Sequence, residues 1–151
     1  MNLDSKETSI IVAGSGPAGL VAALALAKAG FPLALVGPDV AAQDRRTTAL
    51  MLPALEALAE LGLAEPLAAV SEPLESMRIV DATQRLVRSP TVTFRAAEIG
   101  EPYFGLNIAN RDLNAALAAA VRANPRIAWI ESLVTSWAPG PNEIQAKLDN
   151  G

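Results

Sequence analysis

Ten residues near the start of the chain, Ile10-Ile11-Val12-Ala13-Gly14-Ser15-Gly16-Pro17-Ala18-Gly19, constrain its fold more than any other stretch. A short apolar run leads into Gly-x-Gly-x-x-Gly, and a segment rich in alanine and leucine follows. That is the order of strand, tight turn and helix that holds a dinucleotide diphosphate. Gly14 permits the sharp turn out of the strand. Gly16 lacks a side chain, so a phosphate can approach the backbone, and Gly19 lets the helix pack tightly on the sheet. Pro17 suits the first helical turn, where its missing N–H costs nothing. The helix N-terminus adds unpaired N–H groups and a partial positive charge. Gly14, Gly16, Pro17, Ala18 and Gly19 are therefore candidate cofactor-binding residues.

The flanks extend this block into a βαβ unit. Residues 20–29 are apolar on nearly every face except at Lys28, as in a helix buried against a sheet. Gly30 provides a C-terminal stop. Residues 33–36 are too uniformly apolar to alternate, which suits a parallel strand covered on both faces.

Further along, Pro53 and Gly62 bracket a helix over 53–61, and Glu65-Pro66 and Glu72-Pro73 break the helical pattern. Strand character then takes over. Residues 77–81 and 86–88 flank Ala82-Thr83-Gln84, and 91–94 follows Pro90, so an antiparallel segment is inserted between 76 and 94. A loop or strand edge at 101–105 leads to 106–109. Asn110 is an N-cap for a helix over 111–123, with Asp112 in its first turn. Residues 126–130 form the next parallel strand, 133–137 and 143–148 a hairpin, and 149–151 a turn.

Composition narrows the chemistry. At 151 residues there is room for one domain with a real core. Although 51% of residues are hydrophobic, no apolar run approaches membrane-spanning length. The polar start, residues 1–9, does not resemble a secretory signal, and the cytoplasm is the expected compartment. A formal charge of −4 argues against nucleic acid as a partner. With Cys 0 and His 0 there is no thiolate, no disulfide and neither of the commonest metal ligands, so no metal site is expected. Redox chemistry would have to come from a bound cofactor, and no residue of the chain is assigned a catalytic role.

Arg45, Arg46 and Arg111 lack an obvious structural task. An arginine adds paired, charge-assisted hydrogen bonds to a diphosphate. Arg111 opens a helix, where its charge opposes the dipole at a cost of a few tenths of a kcal/mol, which a phosphate would offset. A solvated surface arginine is the alternative for each.

Three blocks together resemble the class A flavoprotein monooxygenases, the aromatic hydroxylases. Among these the chain is most similar to the ubiquinone-biosynthesis hydroxylases of polyprenylated phenols. The blocks are the glycine motif with its helix, Asp44-Arg45-Arg46-Thr47-Thr48-Ala49-Leu50, and Asn110-Arg111-Asp112-Leu113 with Leu117. The second resembles the family's Asp-Gly-Arg-x-x-Ala-Leu segment, with Arg45 in place of glycine. The resemblance implies a Rossmann-like α/β FAD-binding fold with a parallel sheet and an inserted antiparallel segment, in which 76–106 contributes to the substrate-domain β structure. It implies FAD against Gly14, Gly16 and Gly19, contacts to the flavin nucleotide from Arg46 and Arg111, and Val134 near the adenine. It also implies NAD(P)H as reductant, O₂ as co-substrate and a phenolic small molecule as substrate. A polyprenyl substrate would bring the longer enzyme to a membrane surface.

Two departures stand out. The family ends its second strand on an acidic residue for the adenosine ribose, whereas Gly37 stands there, with Asp39 the nearest substitute. Family members also continue past this point through a strand ending in Asp-Gly, so the fold is expected to be incomplete at its C-terminus and the chain to be the N-terminal part of an FAD-binding domain. The missing strand would pair beside the first one, and the open parallel edge predicts self-association. Two other readings are a non-catalytic FAD- or NAD-binding module and a nicotinamide-dependent reductase of simple Rossmann type.

Overall fold

The computed structural model describes Thr8, residues 10–39 and residues 44–150, and the chain divides into two compact units. The sequence readings for 1–7, 9, 40–43 and Gly151 lie outside the described residues. One unit is discontinuous in sequence, Met1–Asp44 with Arg111–Gly151, and the other is Arg45–Asn110.

The discontinuous unit is built on a parallel sheet. Strands β1 (Ile10–Ala13), β2 (Leu33–Val36) and β8 (Ile127–Ile130) lie in the order β1-β2-β8. The register runs Ile10↔Leu33 and Leu33↔Ile127 without a slip. All four residues of β2 are buried, at 5% exposure or less, as a central strand covered on both faces requires. Helix α1 (Pro17–Lys28) buries Leu20, Ala23, Leu24 and Ala27, one face at helical spacing, and contacts β1 and β2. Gly30, at φ +96°, takes the chain out of the helix in a conformation that side chains disfavour.

Helix α4 (Asn110–Ala123) begins at the junction between the units and buries Leu113, Leu117, Ala118 and Val121. A hairpin of β9 (Val134–Pro139) and β10 (Ile144–Leu148) follows β8, as its sequence pattern predicts. Its base is held by Asp149. That carboxylate accepts the hydroxyl of Ser132, which is buried, and the N–H of Leu133 at 3.0 Å.

The second unit is antiparallel, and the inserted segment is wider than 76–94. Strand β3 (Thr47–Met51) pairs with β7 (Gly105–Ala109), which pairs on its other side with β4 (Ser71–Pro73). In β3, Thr48 and Leu50 point inward and their neighbours outward, a period of two carried by only five residues. Helices α2 (Leu52–Glu60) and α3 (Ala64–Ala68) follow. Glu65-Pro66 does not break helical structure as expected. Pro66 lies in the first turn of α3, where backbone bonding starts only with Leu67 N–H to Leu63 C=O, so its missing donor costs nothing. Pro73 is tolerated because β4 is an outer strand of its sheet.

The remaining sheet joins β5 (Ser76–Ile79) to β6 (Val92–Arg95). Residues 86–88 are not the partner of β5. Leu86 and Val87 are 102% and 83% exposed, and the segment between the strands is closed instead by Asp81. Its carboxylate accepts from the N–H groups of Ser89 and Thr83, each at 3.0 Å, and the bond from Ser89 first, then those from Thr83, lower its pKa below the usual carboxylate value.

Two predictions follow from this packing. A Cβ built on Gly19 would stand 1.9 Å from the Gly14 carbonyl oxygen. Helix propensity favours alanine by about 1 kcal/mol, but overpacking of this kind costs about 1–3 kcal/mol and backbone is what must move. Gly19→Ala is therefore expected to destabilise the fold in urea unfolding, and a stabilised variant would contradict the close approach. The second concerns Asp149, whose pKa is lowered, first by the Ser132 hydroxyl and then by the Leu133 N–H. A carboxylate with a depressed folded pKa stabilises above its unfolded value and loses that contribution as pH falls through the folded one. The stability gap between wild type and Asp149→Asn should be full above about pH 4 and close below it in acid titrations of unfolding.

Candidate functional site

The glycine motif forms the connection from β1 to α1 at the carboxyl end of the parallel sheet, where open α/β sheets bind their ligands. Gly14 has φ +109°, which a side chain disfavours, and its N–H donates to Val36 C=O at 2.7 Å, tying the end of β1 to the end of β2. Gly16 is the N-cap of α1 and Pro17 opens the helix. No side chain caps this end and its first turn holds no acid, so α1 itself supplies no counter-charge to its N-terminal dipole. A Cβ on Gly14 or Gly16 would meet nothing within 4 Å, whereas Gly19 has no room at all. One side of the loop is thus open and the other is locked against the sheet.

Ser15, read only as a spacer in the motif, has a structural role. It is 7% exposed, and its hydroxyl donates to Pro38 C=O at 2.5 Å, across from β1 to the segment after β2. Gly37 packs directly on it. A Cβ at position 37 would lie 2.5 Å from Ser15 Oγ and 2.6 Å from Ser15 N. The acidic residue expected at the end of the second strand is therefore excluded sterically. Gly37 is held further by its N–H to Ile130 C=O at 3.1 Å and by its carbonyl, which accepts Trp129 Nε1–H at 3.0 Å.

The other candidates divide between the units. Asp39, Arg111 and Val134 belong with the glycine loop in the discontinuous unit, and Arg46 belongs to the other. Asp39 is exposed, and its carboxylate receives Arg122 Nη2 at 2.6 Å. Arg111 lies in the first turn of α4, exposed, with Nε 3.5 Å from the Asp112 carboxylate. That neighbour relieves the unfavourable encounter with the helix dipole, so a phosphate is not required to explain the arginine there. Val134 opens β9, half-buried. Arg46 precedes β3, and its carbonyl accepts the Asn110 N–H at 2.9 Å. Asn110 begins α4, and its Oδ1 accepts the Thr48 hydroxyl at 2.6 Å, joining the second and third sequence blocks.

Sequence reasoning did not single out Arg122 or Trp129. An arginine in the last turn of a helix reads as a favourable dipole contact, and a tryptophan in an apolar strand reads as core. Arg122 stacks on Trp129 and reaches Asp39 across a sequence separation of 83, which leaves no local pattern. Among the described residues no group of three or more carboxylates forms a metal site, and no helix is long and apolar enough to cross a membrane.

The two faces of the loop give a stability test. Gly37→Ala forces backbone apart and is expected to cost about 1–3 kcal/mol. Gly16→Ala enters open space at an ordinary φ of −72° and should lose no more than about 1 kcal/mol of capping preference. Urea unfolding of the two variants side by side reads the difference, and equal losses would refute the asymmetry.

Comparison with known proteins places this geometry. A model of the FAD binding domain family matches residues 7–133. Among solved structures, p-nitrophenol 4-monooxygenase PnpA from Pseudomonas putida is similar at 20% identity and TM-score 0.70, over 91% of this chain and 35% of that one. The flavin-dependent monooxygenase PieE, solved with FAD and substrate, is similar at 22% identity and TM-score 0.70, over 94% and 27%. A Diels-Alderase of pyrroindomycin biosynthesis is similar at 20% identity and TM-score 0.69, over 93% and 29%. This chain thus spans between 27% and 35% of the length of these three proteins. An open glycine loop and an uncapped helix end at the carboxyl edge of a parallel sheet fit the diphosphate of such a cofactor, and with the match over residues 7–133 the chain belongs to the FAD binding domain family.

Proposed function

We propose that this chain is the FAD-holding part of an NAD(P)H- and O₂-dependent flavoprotein monooxygenase that hydroxylates a phenolic ring, in the ubiquinone-biosynthesis branch of that group. The observation that carries the FAD site is the loop at Gly14 and Gly16, open to a ligand on the side where α1 presents its uncapped N-terminus. Monooxygenase chemistry is supported by the solved neighbours of that description and by the Asp44–Leu50 and Asn110–Leu113 blocks. When bound, the flavin supplies the redox and oxygen chemistry, for which this chain has neither His nor Cys.

The chain's own residues bind and orient. N–H groups at the start of α1 receive the diphosphate, with a dipole contribution of about 0.3–1 kcal/mol. Gly14 and Gly16 leave the space, and Gly19 fixes the distance of the helix from the sheet. Arg46 and Arg111 are the cations assigned to the flavin nucleotide, where a charge-assisted bond contributes about 1.5–3 kcal/mol. Val134 is assigned to the adenine. The longer enzyme would act from the cytoplasm, touching the membrane surface where its polyprenylated substrate resides. β1, one of the two outer strands of the β1-β2-β8 sheet, is the edge assigned to self-association.

A second reading, a flavin-binding module without turnover, is favoured by the lack of His and Cys. Titration of the chain with FAD, followed by flavin fluorescence, tests the site common to both. Gly16→Val fills the open side of the loop and should weaken FAD by at least about tenfold while the fold persists by circular dichroism. No binding by wild type, or equal binding by the variant, would sink the assignment. NAD(P)H oxidation by the longer protein with a phenol present, and product carrying ¹⁸O from ¹⁸O₂, separates the monooxygenase from the module.

A further inference from the structure

Leu86 and Val87 have strand composition but pair with no strand, and the backbone bends at both. They are 102% and 83% exposed, the highest values among the large apolar residues described. Bends of this kind ordinarily take glycine, asparagine, aspartate or serine. Here two adjacent aliphatic side chains stand fully in water instead. The connection from β5 to β6 that carries them is closed at its neck, where the Asp81 carboxylate accepts the N–H groups of Ser89 and Thr83. Below the neck, Ile79 pairs with Val92 and holds the ends of the two strands together. The tip is therefore presented by a closed loop. Ile79 and Val80, just before the neck, add exposed apolar surface.

Charge selects the occupant. Arg85 and Arg88 flank the apolar pair, and neither has an ion-pair partner among the described residues. From Ala82 to Ala97 the only charged residues are Arg85, Arg88 and Arg95, in a chain whose formal charge is −4. An apolar tip collared by cations matches the profile of an anionic bilayer, whose phosphates lie outside its acyl chains. Arginine stems lie along apolar surface while their guanidinium groups reach phosphate with paired hydrogen bonds. A second copy of this chain, acidic overall, is the competing occupant.

Resting on the membrane-surface reading given above for the longer enzyme, we propose that the Arg85–Arg88 loop is its bilayer contact. Leu86 and Val87 enter the acyl boundary of an anionic phospholipid leaflet, and Arg85 and Arg88 bind the phosphates of its headgroups. Two short side chains and two cations make a reversible contact, since stable anchoring takes stronger signals. The loop docks and releases.

The test uses the whole chain with vesicles of phosphatidylglycerol and phosphatidylcholine. The chain has no cysteine, so Val87→Cys takes a single environment-sensitive label at the tip. Asn142→Cys, at an exposed bend between β9 and β10, carries the same label as control. The tip label should shift to the blue and be quenched by spin-labelled acyl chains, and the control label should do neither. Sedimentation with vesicles should show that the unlabelled chain binds, less well as salt rises and at least about tenfold less well to pure phosphatidylcholine. Replacing both arginines, Arg85→Gln with Arg88→Gln, should weaken binding at least about tenfold, at about fivefold per cation. Leu86→Ser with Val87→Ser should weaken it by at least a similar factor. All four side chains are exposed, so circular dichroism should show both double variants folded. Equal binding of wild type and both variants overturns the inference while membrane contact elsewhere on the chain stands. A wild type that ignores anionic vesicles removes the inference and the membrane contact together, and the FAD titration reports on the cofactor site independently. A tip label that shifts with protein concentration in the absence of lipid gives the loop to a second copy, which also overturns the inference.

Discussion

The approach of α1 to the end of β1, with no side chain between Gly19 and the Gly14 carbonyl, sets the geometry on which the site depends. Any Cβ there would push the helix away from the sheet. Because it does not, Leu20, Ala23, Leu24 and Ala27 reach the strands and are buried. The same approach brings the helix N-terminus over the turn, so that Gly14 and Gly16 face open space while Ser15 turns inward beneath Gly37. Packing on one side of ten residues and vacancy on the other come from a single steric condition.

Electrostatics then follows from sterics. An unprotected helix N-terminus is a site for an anion, and α1 has neither a capping side chain nor an acid in its first turn to compete for it. At the end of β2, Ser15 excludes the side chain that would ordinarily carry the nearest negative charge. Asp39, two residues on, pairs with Arg122, whose guanidinium lies over the Trp129 ring. Charge near the loop is thus arranged by what the backbone leaves room for, and Arg111 finds its local counter-charge in Asp112.

The parallel sheet was legible because its signals are local. Four consecutive apolar residues in β2, three glycines at fixed spacing and the Asn110 helix start each state a preference that tertiary contacts reinforce. The antiparallel unit was legible only in part. β3 shows its period of two over five residues, too few to stand out beside a motif, and its partner β7 is distant in sequence. Leu86-Val87-Arg88 has strand composition, yet Asp81 closes that segment with two backbone bonds and β5 pairs with β6 instead. Pro66 misleads because the residue type is read without its position in the turn. At the site, Gly14, Gly16 and Gly19 declare their conformations in sequence, whereas the link from Asp39 through Arg122 to Trp129 exists only after the sheet has formed.

The discontinuous unit carries a kinetic consequence. β2 meets β8 only across roughly ninety residues of chain. Closing a disordered loop of that length costs about 4 kcal/mol in chain entropy before the first contact is made. The antiparallel unit occupies most of that interval and begins and ends on one hydrogen bond, from Asn110 N–H to Arg46 C=O at 2.9 Å. Once it has formed, the effective loop shrinks to a short connection, and α4 starts from the end of that bond. The connectivity therefore favours an order in which the insert forms first and the parallel sheet gains β8 after it.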